Sequence, residues 1–306
     1  MNKTTKFISQ ALIFTFLVNC MASCNSESAK ELSTNTTGIE PTETELLLAD
    51  YNNSLPDIAD TRARRTDKNL DIAVADAKGA YKGGKIGGKI GGVFGPHGRI
   101  VGTIIGGVLV GGAKSYIKYR ENVTIKGDMM TAPALNSEIL NINSFACAYA
   151  DNKSKVDASE YKYGRDRGLD SCATVTGILH NRVLENVEMH KDPQKFKVYL
   201  STLTDIELYV LESEEMKNVY DSIFCEEELD RNSQVSSDES DRIMSLFMAA
   251  VEENVASAEE LNKIIKYYTE VVTNSSYLSQ VQKGSLLAAF SVMGYSYEYW
   301  SDKLKD

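Results

Sequence analysis

The chain has 306 residues, 42% of them hydrophobic and 25% charged, with 21 Gly, 5 Pro, 5 Cys and a formal charge of −10. That balance suits one or two domains with real cores; it excludes a collagen-like chain, a disulfide-dense miniprotein, a polytopic membrane protein and a wholly disordered polymer. The averages hide segregation, because 14 of the 21 glycines fall between positions 79 and 112.

Residues 1–23 read as an export signal that stands outside the fold. Lys3 and Lys6 supply the positive start, and positions 8–18 form an apolar run. That run is shorter than the about 20 residues a spanning helix needs. Met21-Ala22-Ser23-Cys24 resembles a lipobox, in which small residues precede a cysteine that is acylated and becomes the first residue. The resemblance implies lipidation at Cys24 and a lipoprotein of the outer membrane or cell surface. Cys20 leaves with the signal, so Cys147, Cys172 and Cys225 remain in an oxidising compartment. An odd number suggests one bridge and one thiol; Cys147–Cys172 is the preferred pair, although spacing does not fix connectivity.

Residues 24–65 read as a flexible, lipid-anchored linker. Positions 24–61 carry one Lys against eight acids and are rich in Ser, Thr and Asn, with little periodicity. Leu46-Leu47-Leu48 is either a short helix or a docking patch. The linker ends in Arg62, Arg64 and Arg65, a cluster that an Arg-specific protease can reach and cut. The alternative is a basic patch touching the phosphates of lipopolysaccharide or anionic lipid.

Positions 62–120 reverse the charge, with twelve Lys/Arg against three Asp, while 121–306 carry 18 bases and 32 acids. Within the basic part, Gly79, Gly83, Gly87, Gly91 and Gly95 recur every four residues, with Gly84, Gly88 and Gly92 beside them. After Gly95-Pro96-His97-Gly98 the spacing resumes at Gly98, Gly102 and Gly106, then at Gly107 and Gly111. On a helix this spacing keeps glycines along one slowly drifting face, where another backbone can approach closely. The Gly-Pro-His-Gly interruption reads as a turn. The pattern predicts a helical hairpin with arms near 70–94 and 99–119, in a unit spanning 66–120. Gly83, Gly87, Gly91, Gly95, Gly102, Gly106, Gly107 and Gly111 are its candidate membrane-insertion and homo-oligomerisation residues.

Each glycine costs about 1 kcal/mol relative to Ala in a helix interior, so a dozen forfeit roughly 10 kcal/mol. A bilayer would enforce helicity, since an unsatisfied backbone group there costs several kcal/mol. Close packing inside a folded domain is the competing explanation. Positions 100–113 hold no charge but are short for a full span, and Lys78, Lys82, Lys85 and Lys89 interrupt the first arm. Neither arm is therefore a constitutive transmembrane helix; together they suit conditional insertion at an anionic surface.

Residues 121–306 read as an acidic helical bundle, with no firm assignment over 121–168. Val175, Ile178, Leu179, Val183, Leu184 and Val187 form one stripe, and Met216, Val219, Tyr220, Ile223 and Phe224 another. Asp238 precedes a third helix, Ser257-Ala258-Glu259-Glu260 starts a fourth as a capping box, and the last runs from about 279 to 304. The expected fold is thus mainly α: a glycine-zipper hairpin plus a C-terminal helical bundle, behind a disordered tether.

Chemistry is sparse. Cys172 and His180 lack the constellation of a nucleophile pair, and His180 reads as a partly buried core residue. Glu226-Glu227-Glu228 with Asp230 suits a solvated helix end better than a calcium site. Three histidines, none at metal spacing, leave zinc without support. Tyr295, Tyr297, Tyr299 and Trp300 form either a membrane-interface patch or core. No catalytic residue, cofactor, metal or nucleic-acid partner is expected.

The glycine block resembles the zipper segments of bacterial outer-membrane lipoproteins and of two-peptide bacteriocins. Lipobox, Arg-rich linker, zipper and acidic helical tail together resemble Bacteroidales lipoprotein toxins activated by Arg-specific proteolysis. The resemblance is one of architecture. It implies a bacteriocin-like, membrane-active antibacterial toxin, cut near Arg65, released outside the cell and acting on membrane lipids. An outer-membrane receptor and an immunity protein would be its partners. The alternative is a structural or adaptor outer-membrane lipoprotein that oligomerises through its glycines.

Overall fold

The computed structural model describes residues 40–56, 67–122, 162, 164–188, 209–210, 212–224 and 238–304. Among them the chain forms eight α-helices and no strand. They are α1 (Glu43–Ser54), α2 (Lys68–Gly91), α3 (Gly95–Asn122), α4 (Ser171–Glu188), α5 (Glu214–Phe224), α6 (Glu239–Asn254), α7 (Ala258–Asn274) and α8 (Gln280–Lys303). The expected mainly α fold is what is found. Cys24, Arg62, Arg64, Arg65, Cys147 and Cys225 lie outside the described residues, and with them the lipobox, the cleavage candidate and the Cys147–Cys172 pairing.

The predicted hairpin is present. Asp67 caps α2 by accepting from the backbone N–H groups of Asn69 and Leu70. The arms are joined through a 3-10 turn, Gly92–Phe94, and Gly95 then takes φ +79°, a left-handed conformation that favours glycine. Gly95 is thus a turn residue with nothing within 4 Å of where a side chain would start. It closes the turn and so lies outside the packed row, while Pro96, His97 and Gly98, expected in the turn, open α3 instead.

α8 is the axis of the bundle. Every residue from Ser285 to Tyr297 is buried, as befits a helix apolar on all sides. Phe290 meets Phe247 of α6 at 4.4 Å and Tyr268 of α7 at 5.8 Å between ring centroids, inside the largest core cluster. A second cluster joins Ile105, Val108 and Leu109 of α3 to Val175 and Leu179 of α4 and Met216 of α5. Tyr295, Tyr297, Tyr299 and Trp300 are buried, so the aromatic C-terminus is core among the described residues. Capping follows the sequence: Asp238, Ser257 and Ser279 each accept from a backbone N–H of the next turn. At α7 the box is not reciprocal, because Glu260 accepts from Ala256 N–H rather than that of Ser257.

One segment departs from expectation. Residues 43–54, inside the stretch read as flexible linker, form α1, started by a Thr42–Glu45 capping box. Leu48 is fully buried, whereas Leu46 and Leu47 are about half exposed. Glu45 receives Arg242 Nε at 2.5 Å, Asn52 donates to the Leu246 carbonyl, and Tyr51 stacks on Tyr267 at 3.8 Å. Tertiary partners on α6 and α7 hold a helix whose own sequence is too polar to advertise it.

The glycine seam makes a graded prediction. A methyl group on Gly87 would overlap the Gly102 carbonyl oxygen, whereas one on Gly92 would meet only Arg99 Nε at 3.8 Å. In chemical denaturation followed by circular dichroism, Gly87→Ala should destabilise by about 3 kcal/mol or more, as overpacking against backbone does. Gly92→Ala should be neutral or stabilising by up to about 1 kcal/mol.

Candidate functional site

Antiparallel packing brings the predicted glycines together in pairs. Gly83 faces Gly106, Gly87 faces Gly102 and Gly91 faces Gly98, each so close that a methyl group would overlap the opposite carbonyl. Gly79 continues the seam, 2.7 Å from the Val110 carbonyl oxygen by the same measure. Such spacing places Cα–H groups against carbonyl oxygens, a weak attraction that larger side chains would block. Gly107 and Gly111 sit at its margin: a methyl on Gly107 would meet Thr176 and Ala288, and one on Gly111 would meet His180. These two glycines admit α4 and α8 rather than the opposite arm alone.

The second row has a role that spacing did not specify. Gly84 and Gly88 of α2, with Gly284 before the buried part of α8, form a hollow around Thr103 of α3. The glycine faces are thus filled from within the chain, and helicity is supported by bundle packing. Homo-oligomerisation through the same faces requires the bundle to open. The stretch Lys68–Tyr119 contains a window apolar enough to cross a membrane, but most of it is buried.

At the base of the hairpin lies a buried polar centre that sequence reading did not find. Asp76 of α2 and His180 of α4 are both fully buried, with His180 Nε2 3.5 Å from Asp76 Oδ2. Ser115 of α3 donates to the same oxygen at 2.7 Å, as does Ser296 of α8, and Trp300 Nε1 donates to Ser115 at 3.1 Å. Asp76 Oδ1 and His180 Nε2 have no hydrogen-bond partner. Burial pushes the Asp76 carboxyl well above its ordinary range, outweighing the hydroxyls of Ser296 and Ser115 and the Trp300 indole. Burial likewise pushes His180 down to about 4, against the raising effect of Asn181 and the Gly111 backbone. Both groups favour their neutral forms. Arranged this way, they fasten four helices through polar contacts that water would dissolve if the centre opened.

A second polar contact ties the hairpin to the acidic domain. Lys85 Nζ lies 2.7 Å from both Asp238 Oδ2 and Asp241 Oδ1, and Tyr81 donates to Asp241 at 2.5 Å. Burial would lower Lys85, but its bonds to Asp238 and Asp241 outweigh this and hold the ammonium above its ordinary value. Burial would raise Asp238, but Lys85, Ser240 and Gln282 hold its carboxyl well below the carboxylate range. Lys78 reaches Glu252 at 3.3 Å, an exposed pair that contributes little. An open cleft of about 310 Å³ beside the Lys85 contact is lined by Lys85, Lys89, Asp238, Ser279, Val281 and Gln282.

The His180 imidazole faces Asp76, and Cys172 is half-buried beside the α3–α4 cluster. Among the described residues no group of three or more His, Cys, Asp or Glu could hold a metal ion. Compared with known proteins, the chain matches no family model, no curated protein and no solved structure. The functional reading therefore rests on the chain's own residues.

The polar centre predicts a two-sided pH response. His180 is held neutral, so its contribution to stability is complete above its ordinary value of 6.5 and is lost as pH falls towards about 4. The loss is about 3 kcal/mol at most. Asp76 is held protonated, so stability falls as pH rises from 3.8 through its raised folded value. In thermal denaturation across pH, His180→Gln should flatten the acid limb. Asp76→Asn should raise the melting temperature above neutrality.

Proposed function

We propose that this protein is a membrane-active antibacterial toxin, exported as a lipoprotein acylated at Cys24 and released by a cut near Arg65. Its acidic bundle stores the glycine hairpin until a target surface or receptor competes for it, whereupon segment 79–112 inserts, self-associates through its glycines and depolarises the target. The observation that carries this reading is the hairpin itself. From 77 to 120 it holds eight Lys/Arg and no acid, yet it is packed glycine to glycine inside a domain of opposite charge. Glycine-rich helices gain little from their own propensity, so their packing supplies the stability that a membrane would have to replace.

The position of α1 adds a step to release. It precedes Arg62, yet it packs on α6 and α7 through Leu48, Glu45 and Tyr51. A cut at Arg65 would separate α1 covalently while leaving it docked, so full departure from the lipid also needs α1 to dissociate.

The rival reading, a structural or adaptor lipoprotein, draws support from the completeness of the hairpin's packing, which suits a static domain equally well. The two differ in growth inhibition of related strains and dye release from anionic liposomes. Protein cut by an Arg-specific protease should do both, and the variant Arg62→Gln, Arg64→Gln, Arg65→Gln should inhibit at least about tenfold less. Equal inhibition by that variant removes the cleavage step. Absence of both activities in the cut protein removes the toxin reading.

A further inference from the structure

Seven large hydrophobic side chains are exposed among the described residues, and four of them gather at one end of the hairpin. Val93 is 72% exposed, Ile100 43% and Phe94 42%, all within eight positions of the α2–α3 turn. Tyr209, 48% exposed, meets the Phe94 ring edge-on at 5.0 Å. Isolated exposed apolar residues are ordinary on protein surfaces, but a cluster with a basic border marks an interaction site.

Lys89 and Arg99 make that border, with exposed Pro96 and His97 between them. Neither Lys89 nor Arg99 enters an ion pair among the described residues, and Arg99 Nε has no hydrogen-bond partner. The nearest acid on the hairpin is Asp76, about 20 Å from Lys89 at 1.5 Å per helical residue, and Asp238, which lines a cleft with Lys89, is bound by Lys85. On the other flank, Glu212, Glu214 and Glu215 follow Tyr209 and are exposed, so an anionic surface is met from the side of Lys89 and Arg99.

We propose that the hairpin tip, Val93, Phe94 and Ile100 framed by Lys89 and Arg99, is the surface that first docks on an anionic lipid bilayer. The occupant follows from charge and exposed apolar area. The tip is a small exposed apolar cluster beside two cations that enter no ion pair among the described residues, which suits partition into a headgroup layer better than a protein groove of matching acids. The rest of the hairpin has no comparable access. Its glycine faces are filled by the opposite arm and by α8, and its base is fastened by Asp76, Ser115, Ser296 and Trp300. Contact therefore begins at the free end, and the buried arms follow only when the base opens. The inference rests on the membrane-active reading but is separable from it, since a tip can dock without permeabilising.

The test adds a second tryptophan to the full chain, at the tip in Val93→Trp and, in another protein, at Tyr277→Trp, an exposed position between α7 and α8, with the signal of the buried native Trp300 in the parent chain subtracted. Each is mixed with phosphatidylcholine vesicles, with or without phosphatidylglycerol, whose acyl chains carry bromine as a quencher. The tip tryptophan should be quenched at least about threefold more than the Tyr277→Trp reporter, and only when phosphatidylglycerol is present. Adding Phe94→Asp and Ile100→Asp should lower vesicle affinity about tenfold or more while leaving the circular dichroism spectrum and melting temperature unchanged. Equal quenching at both positions, quenching without anionic lipid, or a concentration-dependent emission shift without vesicles (a second copy covering the tip) would overturn it. Dye release is recorded on the same samples. Release without tip quenching sinks this inference and leaves the toxin reading standing; tip quenching without release supports docking and sinks permeabilisation.

Discussion

The close approach of two backbones along the α2–α3 seam constrains everything else in this molecule. Gly83 against Gly106, Gly87 against Gly102 and Gly91 against Gly98 leave no room for a methyl group. Helices drawn this close have little side-chain surface between them and gain little from hydrophobic burial at the seam. The pair must be stabilised from outside, and α8 supplies that with thirteen consecutive buried residues, Ser285 to Tyr297. Its own small residues, Ser285, Ala288 and Ser291, continue the glycine logic one layer outward.

The two ends of the hairpin then differ in kind. At the base, Asp76, Ser115, His180, Ser296 and Trp300 join four helices in a buried polar centre whose titratable members prefer to be neutral. At the tip, Val93, Phe94 and Ile100 face solvent beside Lys89 and Arg99. Midway, Lys85 binds the carboxylates of Asp238 and Asp241. A fastened base, an ionic contact along the side and a free apolar tip give the hairpin a direction. In a static structural element the exposed tip would be a cost without return; in a stored inserting element it is the leading edge.

Much of this was legible beforehand, for stated physical reasons. Four-residue glycine spacing located both arms, because backbone approach leaves a periodic trace; the turn lies at Gly92–Phe94, just before the Gly-Pro-His-Gly break, whose residues instead open α3. The apolar stripes and the caps at Asp238, Ser257 and Ser279 located the helices around it. Gly95 belonged by spacing both to the four-residue row and to the Gly-Pro-His-Gly turn, and only its backbone angle, which spacing does not encode, assigns it to the turn. At α1 only the short-helix alternative for Leu46-Leu47-Leu48 pointed the right way; its extent went unread because Leu48 is its one buried leucine, although Thr42 and Glu45 hold a capping-box signal. Asp76 and His180 lie 104 positions apart by number, and no local pattern announces that a seam of glycines brings them together. The uncharged run from Gly284 to Tyr297 was the available sign that α8 is central.

The central claim is that the hairpin is stored inside the bundle and acts only by leaving it. Methyl positions on Gly107 of α3 and Ala288 of α8 are 3.8 Å apart, the usual separation across a disulfide. The decisive measurement is dye release by cut Gly107→Cys/Ala288→Cys protein, with Cys147, Cys172 and Cys225 replaced by serine, before and after reduction. The oxidised, clamped protein should be inert towards anionic liposomes, and reduction should restore release to the level of the parent without the new pair. Equal release by the clamped and reduced forms would contradict it, because the hairpin would then act without separating from α8.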